Sequence, residues 1–539
     1  MSHIRVKEAE DILGDRFGVL DEGYVRLVDY MGGDQRILDI ARECYGPNAS
    51  KEDRLLMGSI MGKRDKDILG MVELKLHFEM PIADAMAFVY ERNANVNEFS
   101  LRYSVAQDSF NHLSLEELKI VARAGINEDE LKRLAEETKA FAKRSFERYE
   151  WAMNEERDIA KEIARTALGS NLYTRFYWKI NLADLLDFTV RTHYGQPTYG
   201  SDAYLKSILN IVHRVAPLTI RSYLSRENLT HLIEEKEPNV RPEPRISHNT
   251  SKEAEDLLDK RLSVLENGGV TLVDYMGNDK AVLNAARIST GRDDVIKNKK
   301  TQAQDTGLIN YLMRNKHTTP FEMIEFLWKV DVPLLVYRQG GRHRTFERVV
   351  CDSNALGFYH PLFENIAAQS KKNHQGRGDV VNEQLCRDFL KNLDDNEAEA
   401  NGLYKKYTDL GIPHIIAKRH VPVNGNITHY FKSDLHNAVH YLGLRLDSHT
   451  QLETRKVAEA MAFGVKAVAP ESYRAFEKYR LNALTITETE IPILKAILEG
   501  GNAESTYPGS WLEKSALGEL KTNREREEFE AKLKKLRGD

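Results

Sequence analysis

Three consecutive basic residues, Arg342, His343 and Arg344, carry the clearest chemical signal in the sequence. A guanidinium is a planar fork that matches phosphate oxygens, so two of them side by side favour an anionic ligand. The imidazole between them can stack on a ring or exchange a proton near neutral pH. An isolated basic triplet is more often a solvated turn, but Arg338-Gln339 before it and the polar turn 317–322 upstream favour a binding site.

A second polar set brings together an amide, a carboxylate, a hydroxyl and a guanidinium at Asn97, Glu98, Ser100 and Arg102. Such groups can bind the phosphate and a sugar hydroxyl of a nucleotide. Taken alone, however, a capped polar loop is the simpler explanation of this set.

A third segment, residues 445–451, begins with an arginine for which the pattern offers no capping role. Asp447 and Ser448 are predicted to cap the helix that follows. Arg445 lies at the junction of two predicted helices, where its guanidinium can point into a cleft.

Two other groups suggest chemistry that the sequence does not support. Cys351 lies near the basic cluster, but no base is placed beside it, so we expect a buried thiol. His436 and His440 have the i,i+4 spacing of a metal-binding pair, but histidines on one helical face more often pack or contact a ligand. The sequence therefore predicts no metal site.

The sequence is duplicated, and each copy lacks what the other retains. Residues Lys7–Gly32 recur as Lys252–Gly277, so that Lys252 follows Lys7 by 245 residues. The second copy has Arg342-His343-Arg344 where the first has Tyr90-Glu91-Arg92, and the first copy has Asn97–Tyr103 where the second has Val349–Ala355. Complementary losses indicate one working site that is assembled from both copies.

Alternating apolar residues predict the strands that must position these groups. Residues 323–333 alternate apolar and polar side chains, which is typical of a half-buried strand, and residues 72–78 repeat the pattern. Pro81 and Pro333 then favour the first turn of an apolar helix.

Capping residues predict the helices around Arg445. Ser433-Asp434 can cap a helix through Leu444. Ser448 and Gln451 have capping-box spacing for a further helix, through about Ala467.

Composition sets the class of protein. The 539 residues are 41% hydrophobic and 29% charged, which is enough to form globular cores. The net charge of −5 gives no general attraction to nucleic acid or to an anionic membrane, so we expect neither as a partner. The sequence has no apolar run of membrane-spanning length and only three widely spaced cysteines, which indicates a reducing, cytoplasmic location without disulfides.

The repeat predicts the division of the chain. The first copy is expected over residues 1–233 and the second over 246–500. Residues 234–245, with three prolines among charges, are predicted to be a linker without helix or strand. Residues 501–539 are a charged tail whose Leu517, Leu520, Phe529, Leu533 and Leu536 are spaced as a narrow helical stripe; we expect a surface helix.

Together these motifs resemble the flavin-dependent thymidylate synthases (the ThyX family). The matching segments of the second copy are Val270–Gly277, Ala285–Ser289, His317–Glu322, Arg338-Gln339, Arg342–Arg344 and Arg445–Glu453. Those of the first copy are Val25–Gly32, Asn97–Tyr103 and Asn171–Trp178. The resemblance implies an α+β fold with two tandem ThyX-like domains, each an antiparallel sheet with long helices, followed by a charged helical tail.

The resemblance also implies an activity and an assembly. Family members methylate dUMP at C5 to give dTMP, with methylenetetrahydrofolate as carbon donor, NADPH as reductant and FAD as hydride carrier. Their sites form between the subunits of a homotetramer. A homodimer of this duplicated chain would imitate that tetramer of domains with half the usual number of sites.

Residue roles follow by position. Nucleotide binding is implied for Glu98, Ser100, Leu101, Arg102, Gln339, Arg342, Lys418 and Arg445, and catalysis for Arg342 and Arg445. FAD binding is implied for Asn97, Glu98, Asn181, Ser289, His317, Thr319, Glu322, Arg342, His343, Arg344, Thr345, His436 and His440. Arg445 would stabilise negative charge that develops on the pyrimidine, and Lys418 keeps the charge of the family's arginine without its fork.

Departures from the family pattern leave two alternatives open. Asp434, His436 and His440 stand where the family has flavin-contacting asparagine, arginine and asparagine. One alternative is flavin-dependent hydroxymethylation or methylation of another pyrimidine nucleotide. The other is a non-catalytic protein that binds nucleotide or flavin.

Overall fold

The computed structural model describes residues 3–46, 49–157, 159–195, 198–233, 239–244, 246–291, 301–351, 357–371, 376–498 and 523–537. The chain divides into two compact units, Met1–Arg474 and Ala475–Asp539. Both sheets of the duplicated region lie in the first unit. The narrower domain limits at residues 233, 246 and 500 stay predictions.

The strands are β1 (Arg16–Val19), β2 (Gly23–Met31), β3 (Glu73–Pro81), β4 (Asn95–Glu98), β5 (Tyr173–Asn181), β6 (Val240–Arg241), β7 (Arg261–Val264), β8 (Gly268–Met276), β9 (Glu325–Pro333), β10 (Glu347–Cys351), β11 (Ala367–Gln369), β12 (Arg377–Val380) and β13 (Asn426–Asp434).

The helices of the first copy are α1 (Lys7–Glu10), α2 (Asp34–Tyr45), α3 (Asp53–Lys63), α4 (Lys66–Leu69), α5 (Ile82–Val89), α6 (Leu115–Val121), α7 (Glu128–Met153), α8 (Lys161–Ala164), α9 (Leu182–Tyr194), α10 (Tyr199–Val215) and α11 (Pro217–Arg226). Those that follow are α12 (Lys252–Glu255), α13 (Asp279–Ile288), α14 (Gln302–Arg314), α15 (Leu334–Gly340), α16 (Glu383–Asp409), α17 (His414–Ala417), α18 (Leu435–Arg445), α19 (Leu452–Val468), α20 (Pro470–Phe476), α21 (Ile491–Leu498) and α22 (Asn523–Arg537). No helix of the described residues is both long and apolar enough to cross a bilayer.

Each copy contributes one large antiparallel sheet, and equivalent strands have the same spatial order in the two sheets; β11 and β12 form a further two-stranded sheet in the second copy. The order is β4-β5-β3-β2-β1-β6 in the first copy and β10-β13-β9-β8-β7 in the second. Even the irregularities repeat, since the register shifts at Leu27/Asp29 in β2 and at Leu272/Asp274 in β8. The predicted α+β class and the tandem duplication are therefore confirmed.

Several apolar residues of the second copy join the core of the first. Val273, Leu327, Val349 and Tyr430 of the second copy belong to the same buried cluster as the first copy's sheet and helices. The helix after the second strand of each copy packs on the edge strand of the other, α2 against β10 and α13 against β4. The two copies are thus related by an approximate twofold arrangement.

The prediction of half-buried strands is wrong. Strands β3 and β9 are buried on both faces for most of their length. The polar side chains of the alternating pattern face the other copy instead of water, because Glu73, Lys75 and Glu325 are all buried. Alternation alone could not distinguish a solvent-facing polar face from one that is covered by a second domain.

Two buried lysines, one from each copy, donate to glutamate carboxylates of the other copy. Lys179 of β5 donates to Glu325 of β9, and Lys432 of β13 donates to Glu73 of β3. The four side chains are at most 5% exposed. Lys432 also lies 3.0 Å from Glu347. Burying unpaired charges costs several kcal/mol each, so these contacts specify how one sheet lies against the other.

The N-terminal segment of each copy contacts the other copy, in the same reciprocal way. His3 contacts Asp274 of the second copy at 2.6 Å, and His248, at the start of the second copy, contacts Asp29 of the first at 2.6 Å. Each imidazole also reaches a glutamate of the same partner copy, His3 to Glu255 and His248 to Glu10.

Three local predictions are also corrected. Val240–Arg241 of the linker is not irregular but pairs with β1 as a short edge strand. Ser448 is not a helix cap, because α19 begins after Gln451 and makes no side-chain cap bond. Cys44 and Cys351 form a disulfide, so the expectation of unpaired thiols is wrong for these two, while Cys386 is free and buried.

The second unit contains part of the predicted tail stripe. Phe529 and Leu533 of α22 are buried, whereas Leu536 is exposed. Lys532 of the same helix donates to Glu490 at 2.7 Å. Leu517 and Leu520 lie outside the described residues.

Replacing Lys179 by methionine is expected to lower the free energy of unfolding by about 3–5 kcal/mol, because Glu325 is left buried without its partner. Urea denaturation measures this change. The double variant Lys179→Met/Glu325→Met should recover most of the loss. Lys329→Met is the matched control, since its lysine lies in β9 but is 38% exposed. A loss no larger than that of the control contradicts the assigned role.

The His248 contact predicts that stability falls as the pH rises. Burial is the largest single influence on the pKa of His248 and lowers it, as does the charge of Arg5. The hydrogen bond and charge of Asp29, with a hydrogen bond to Glu10, outweigh both and raise the pKa above its usual value. A raised folded-state pKa adds stability that is complete below the unfolded value of about 6.5 and is lost as the pH passes the folded value. The melting temperature of the wild type should therefore fall more between about pH 6 and pH 8.5 than that of His248→Gln. His420→Gln, which changes an exposed histidine, is the control. If the melting temperatures of the wild type and His248→Gln change with pH in parallel, the prediction is refuted.

Candidate functional site

The basic turn at Arg342 is held in place by an arginine of the neighbouring strand. Helix α15 starts after Pro333, as predicted, and ends at Gly340. Arg348 of β10 donates to the backbone carbonyls of Gly340 at 2.7 Å and His343 at 2.8 Å. As a result Arg342 and Arg344 are exposed, while His343 is only 8% exposed.

Arg445 joins this turn to the end of α18. Its Nε donates to Nε2 of His343 at 3.2 Å, and its Nη2 donates to the carbonyl of Gln339 at 3.1 Å. Burial, followed by the charge of Arg445, lowers the pKa of His343 to about 4. His343 is therefore neutral at neutral pH. Of the two roles that the sequence left open, the lowered pKa disfavours proton exchange near pH 7, and the ring contacts are present, with Phe346 and Tyr441.

The side-chain amide of Gln339 is fixed from both ends. Thr454 of α19 donates its hydroxyl to Oε1 at 2.7 Å, and Nε2 donates to the side-chain oxygen of Gln451. An amide with both groups bonded presents a defined orientation to a ligand.

These residues surround a cavity of about 1050 Å³. Its lining is drawn entirely from the second copy: Leu335, Arg338, Gln339, Arg342, Val423, Gly443, Leu444, Arg445, Asp447, His449, Thr450 and Gln451. Three guanidiniums against one carboxylate give it a positive potential. Such a cavity can bind an anionic ligand with hydrogen-bonding groups and stabilise negative charge on it.

The polar set of the first copy lies at a contact between the copies. Strand β4 places Asn97 so that its amide donates to the carbonyl of Thr319 at 3.0 Å. The backbone N–H of Ser100 donates to the carbonyl of Ser289 at 3.0 Å. The amide of Asn95 donates to Glu322 at 3.1 Å. Residues predicted to bind the same ligand from different copies thus meet within one chain.

The remaining members of this set differ in exposure. Glu98 is half-buried and accepts from Thr174 at 2.9 Å, and burial raises its pKa against that hydrogen bond. Ser100 and Leu101 are half-buried, and Arg102 is exposed and stacks near Tyr103. Arg102 does not line the cavity of Arg342 and Arg445.

Several predicted residues lie beside these two regions without joining them. His436 is half-buried, His440 is exposed with its ring 5.8 Å from that of His343, and Arg344 and Thr345 are exposed. His317 contacts the ring of Tyr311, and Lys418 lies in the turn Lys418–His420, outside the cavity lining. His436 and His440 are not among the groups of metal-binding geometry; the one such group found in the described residues is His360, Asp394 and Glu397.

The opposite contact between the copies differs in chemistry. Cys44 stands where the second copy has Ser289, and it is bonded to Cys351, the counterpart of Phe99. Asn181, predicted to bind FAD, lies at this contact and donates to Glu347 at 2.7 Å. Asp352 and Asn354, which stand where the first copy has Ser100 and Arg102, lie outside the described residues.

The first copy also neutralises its version of the basic turn. Glu91, the counterpart of His343, accepts from Arg191 at 2.8 Å. Arg191 occupies the position of Arg445 to within one residue. An ion pair therefore replaces the arginine–imidazole contact of the second copy.

Sequence reasoning missed Arg348 and Thr454. Both act on the site through another residue, and neither belongs to the motifs that carry the resemblance. The signal for Arg348 was present but weak, since a charged pair, Glu347-Arg348, precedes the apolar residues of a short strand.

Comparisons with known proteins identify a matching family and several similar proteins. The family described as "Thymidylate synthase complementing protein" matches residues 26–218 and 271–471. A protein of Wolbachia pipientis wMel named flavin-dependent thymidylate synthase is 36% identical over 276 residues, which cover 50% of this chain and 94% of that protein. One of Ehrlichia ruminantium (strain Gardel) with the same name is 40% identical over 255 residues, 46% of this chain and 83% of that protein. A solved structure titled UMP/dUMP methylase PolB from Streptomyces cacaoi has 27% identity and a TM-score of 0.37, and covers 41% of this chain and 99% of its own.

Thr454→Val is expected to weaken binding of deoxyuridylate about fivefold, because the loss of one hydrogen bond to Gln339 costs about 1 kcal/mol. Titration calorimetry measures the change. Ser201→Ala, at the matching position of the first copy, is the control and should leave binding as it is. Equal affinities for Thr454→Val and the wild type would show that the orientation of the Gln339 amide does not affect ligand binding.

Proposed function

The chain belongs to the thymidylate synthase complementing protein family, and on that premise we propose that it catalyses flavin-dependent methylation of a pyrimidine nucleotide at C5. The substrate we propose is dUMP, the carbon donor is methylenetetrahydrofolate and the reductant is NADPH. The observation that carries the proposal is the cavity in which Arg342 and Arg445 flank the fixed amide of Gln339.

Each cavity residue has a separate task. Arg342 and Arg338 bind the nucleotide's negative charge, and Gln339 hydrogen-bonds its polar groups. Arg445 stabilises the charge that develops on the ring when C5 attacks the incoming carbon. In the balanced reaction the C5–H bond breaks and a C5–C bond forms, while both bonds from the methylene carbon to the folate nitrogens break. A hydride from NADPH completes the methyl group, and the C5 proton with one proton from solvent completes tetrahydrofolate, the leaving group.

The groups at the contact between β4 and Thr319 fit a flavin. They offer amides at Asn95 and Asn97, a half-buried hydroxyl at Ser289 and a carboxyl at Glu322. Burial, then the charge of Asp434, raises the pKa of Glu322, which favours the protonated form that can donate a hydrogen bond. Bound there, FAD would supply the hydride.

We propose that the full site combines both copies. Glu98, Ser100, Leu101 and Arg102 of the first copy would complete the nucleotide site whose basic half belongs to the second. Because no described first-copy residue lines the cavity, a homodimer that brings this loop from a second chain is the arrangement we favour.

Anaerobic incubation with FAD, NADPH, methylenetetrahydrofolate and deoxyuridylate tests the reaction. Mass spectrometry of the nucleotide should show the gain of one methyl group. An unchanged nucleotide with reducible bound flavin would instead favour a different pyrimidine substrate, and an unchanged nucleotide without flavin would favour a binding protein.

Two single substitutions test the composite site. Arg102→Ala and Arg342→Ala should each lower kcat/KM by about 100-fold or more, because each removes charge stabilisation. Arg92→Ala, the first-copy counterpart of Arg344, should have no effect. Mixing the two inactive variants should restore part of the activity if sites form between chains and none if they form within one chain. Full activity in Arg102→Ala would refute the composite site.

A further inference from the structure

The contact between His343 and Arg445 differs in kind from its counterpart in the first copy. In the second copy the arginine donates to a neutral imidazole, whereas in the first copy Arg191 donates to the carboxylate of Glu91. Both acceptors can hold an arginine in place. Only the carboxylate also cancels its charge.

The protonation state of His343 is set by its geometry. A guanidinium has only donors, so Nε2 of His343 must accept and the ring proton must be on Nδ1. His343 is buried between Phe346 and Tyr441, and the charges that face it are Arg445, Arg348 and His440. No acidic group is among these, so nothing near the ring favours its protonated form.

We propose that His343 is a positioning residue, a neutral acceptor that orients the guanidinium of Arg445 toward the nucleotide while leaving its positive charge available. The proposal rests on the proposed function, since it assigns how the basic half of that site is held. It also defines why the first copy is inactive at this position: Glu91 keeps an arginine in place but neutralises it.

The orientation is supported from two further directions. The carbonyl of Gln339 accepts from Nη2 of Arg445, and Arg348 fixes the carbonyl of His343 itself. The imidazole of His343 and the carbonyl of Gln339 therefore hold Nε and Nη2 of Arg445. This leaves Nη1 for the cavity that Arg445 lines. Arg445 can then bind a ligand anion without first breaking an ion pair.

Three substitutions at one position separate the possible roles. In His343→Gln the side-chain oxygen can still accept from Arg445 without adding charge, so kcat/KM should stay within about tenfold of the wild type. In His343→Glu the contact of the first copy is recreated, so kcat/KM should fall about 100-fold or more, mainly through kcat. His343→Ala should lie between the two. Glu91→Gln is the control in the first copy and should leave turnover unchanged.

A double-mutant cycle tests whether His343 acts through Arg445. In an Arg445→Ala background, His343→Glu should cause no further loss, because there is no arginine left to neutralise. Losses that multiply would show that His343 acts independently and overturn the proposal. Equal losses in the Gln and Glu variants would overturn it as well, since they would indicate a need for the imidazole itself.

Binding of deoxyuridylate and of inorganic phosphate, measured by calorimetry, keeps the test separate from the proposed function. If the wild type makes no methylated product, the function fails. His343 is still tested, because His343→Glu should weaken anion binding about tenfold or more and His343→Gln should not. Equal anion affinities in both variants would refute the positioning role even in an active enzyme.

Discussion

The reciprocal contacts of Lys179 with Glu325 and of Lys432 with Glu73 determine how the rest of the molecule is arranged. Each is a buried charge whose partner belongs to the other copy. A shift of one sheet against the other by a single residue would leave charged groups in an apolar interior, where they are strongly unfavourable. The two sheets therefore have one acceptable alignment, and the contacts of β4 with Thr319 and of β10 with α2 follow from it.

That alignment generates two contacts between the copies that are equivalent by position and different in chemistry. At one of them the amides of Asn95 and Asn97 donate to Glu322 and to the carbonyl of Thr319. At the other, Cys44 and Cys351 are bonded to each other, and Asn181 donates to Glu347. A duplicated chain can change one contact without the other, whereas a symmetric oligomer of identical subunits changes all equivalent contacts at once.

The sequence predicted the secondary-structure elements and the motifs well, but it predicted their burial and their contacts with the other copy less well. The strand at 325–333, the helix after Pro333 and the cap at Asp434 are local features, so composition and spacing identify them. The burial of Lys179 and Lys432 could not be read in this way, because a lysine in a strand is normally exposed and only the second domain makes it otherwise. For the same reason the low pKa of His343 was not foreseen, since it depends first on burial and then on the charge of Arg445, far away in the sequence. The disulfide was missed because cysteine spacing alone carries no information on which helix packs on which strand.

The losses in the two copies are explained by which basic turn pairs with which polar loop, and not by the decay of either copy as a whole. Under the proposed pairing, the retained site takes its basic turn from the second copy and its Asn97–Arg102 loop from the first. The positions that have changed, Tyr90-Glu91-Arg92 in the first copy and 349–355 in the second, belong to the abandoned pairing. Once one of them had changed, the other no longer contributed to a working site. At these positions Glu91 now forms an ion pair with Arg191, and Val349 is buried. Under the proposed pairing, two losses that look independent in the sequence concern the same abandoned site.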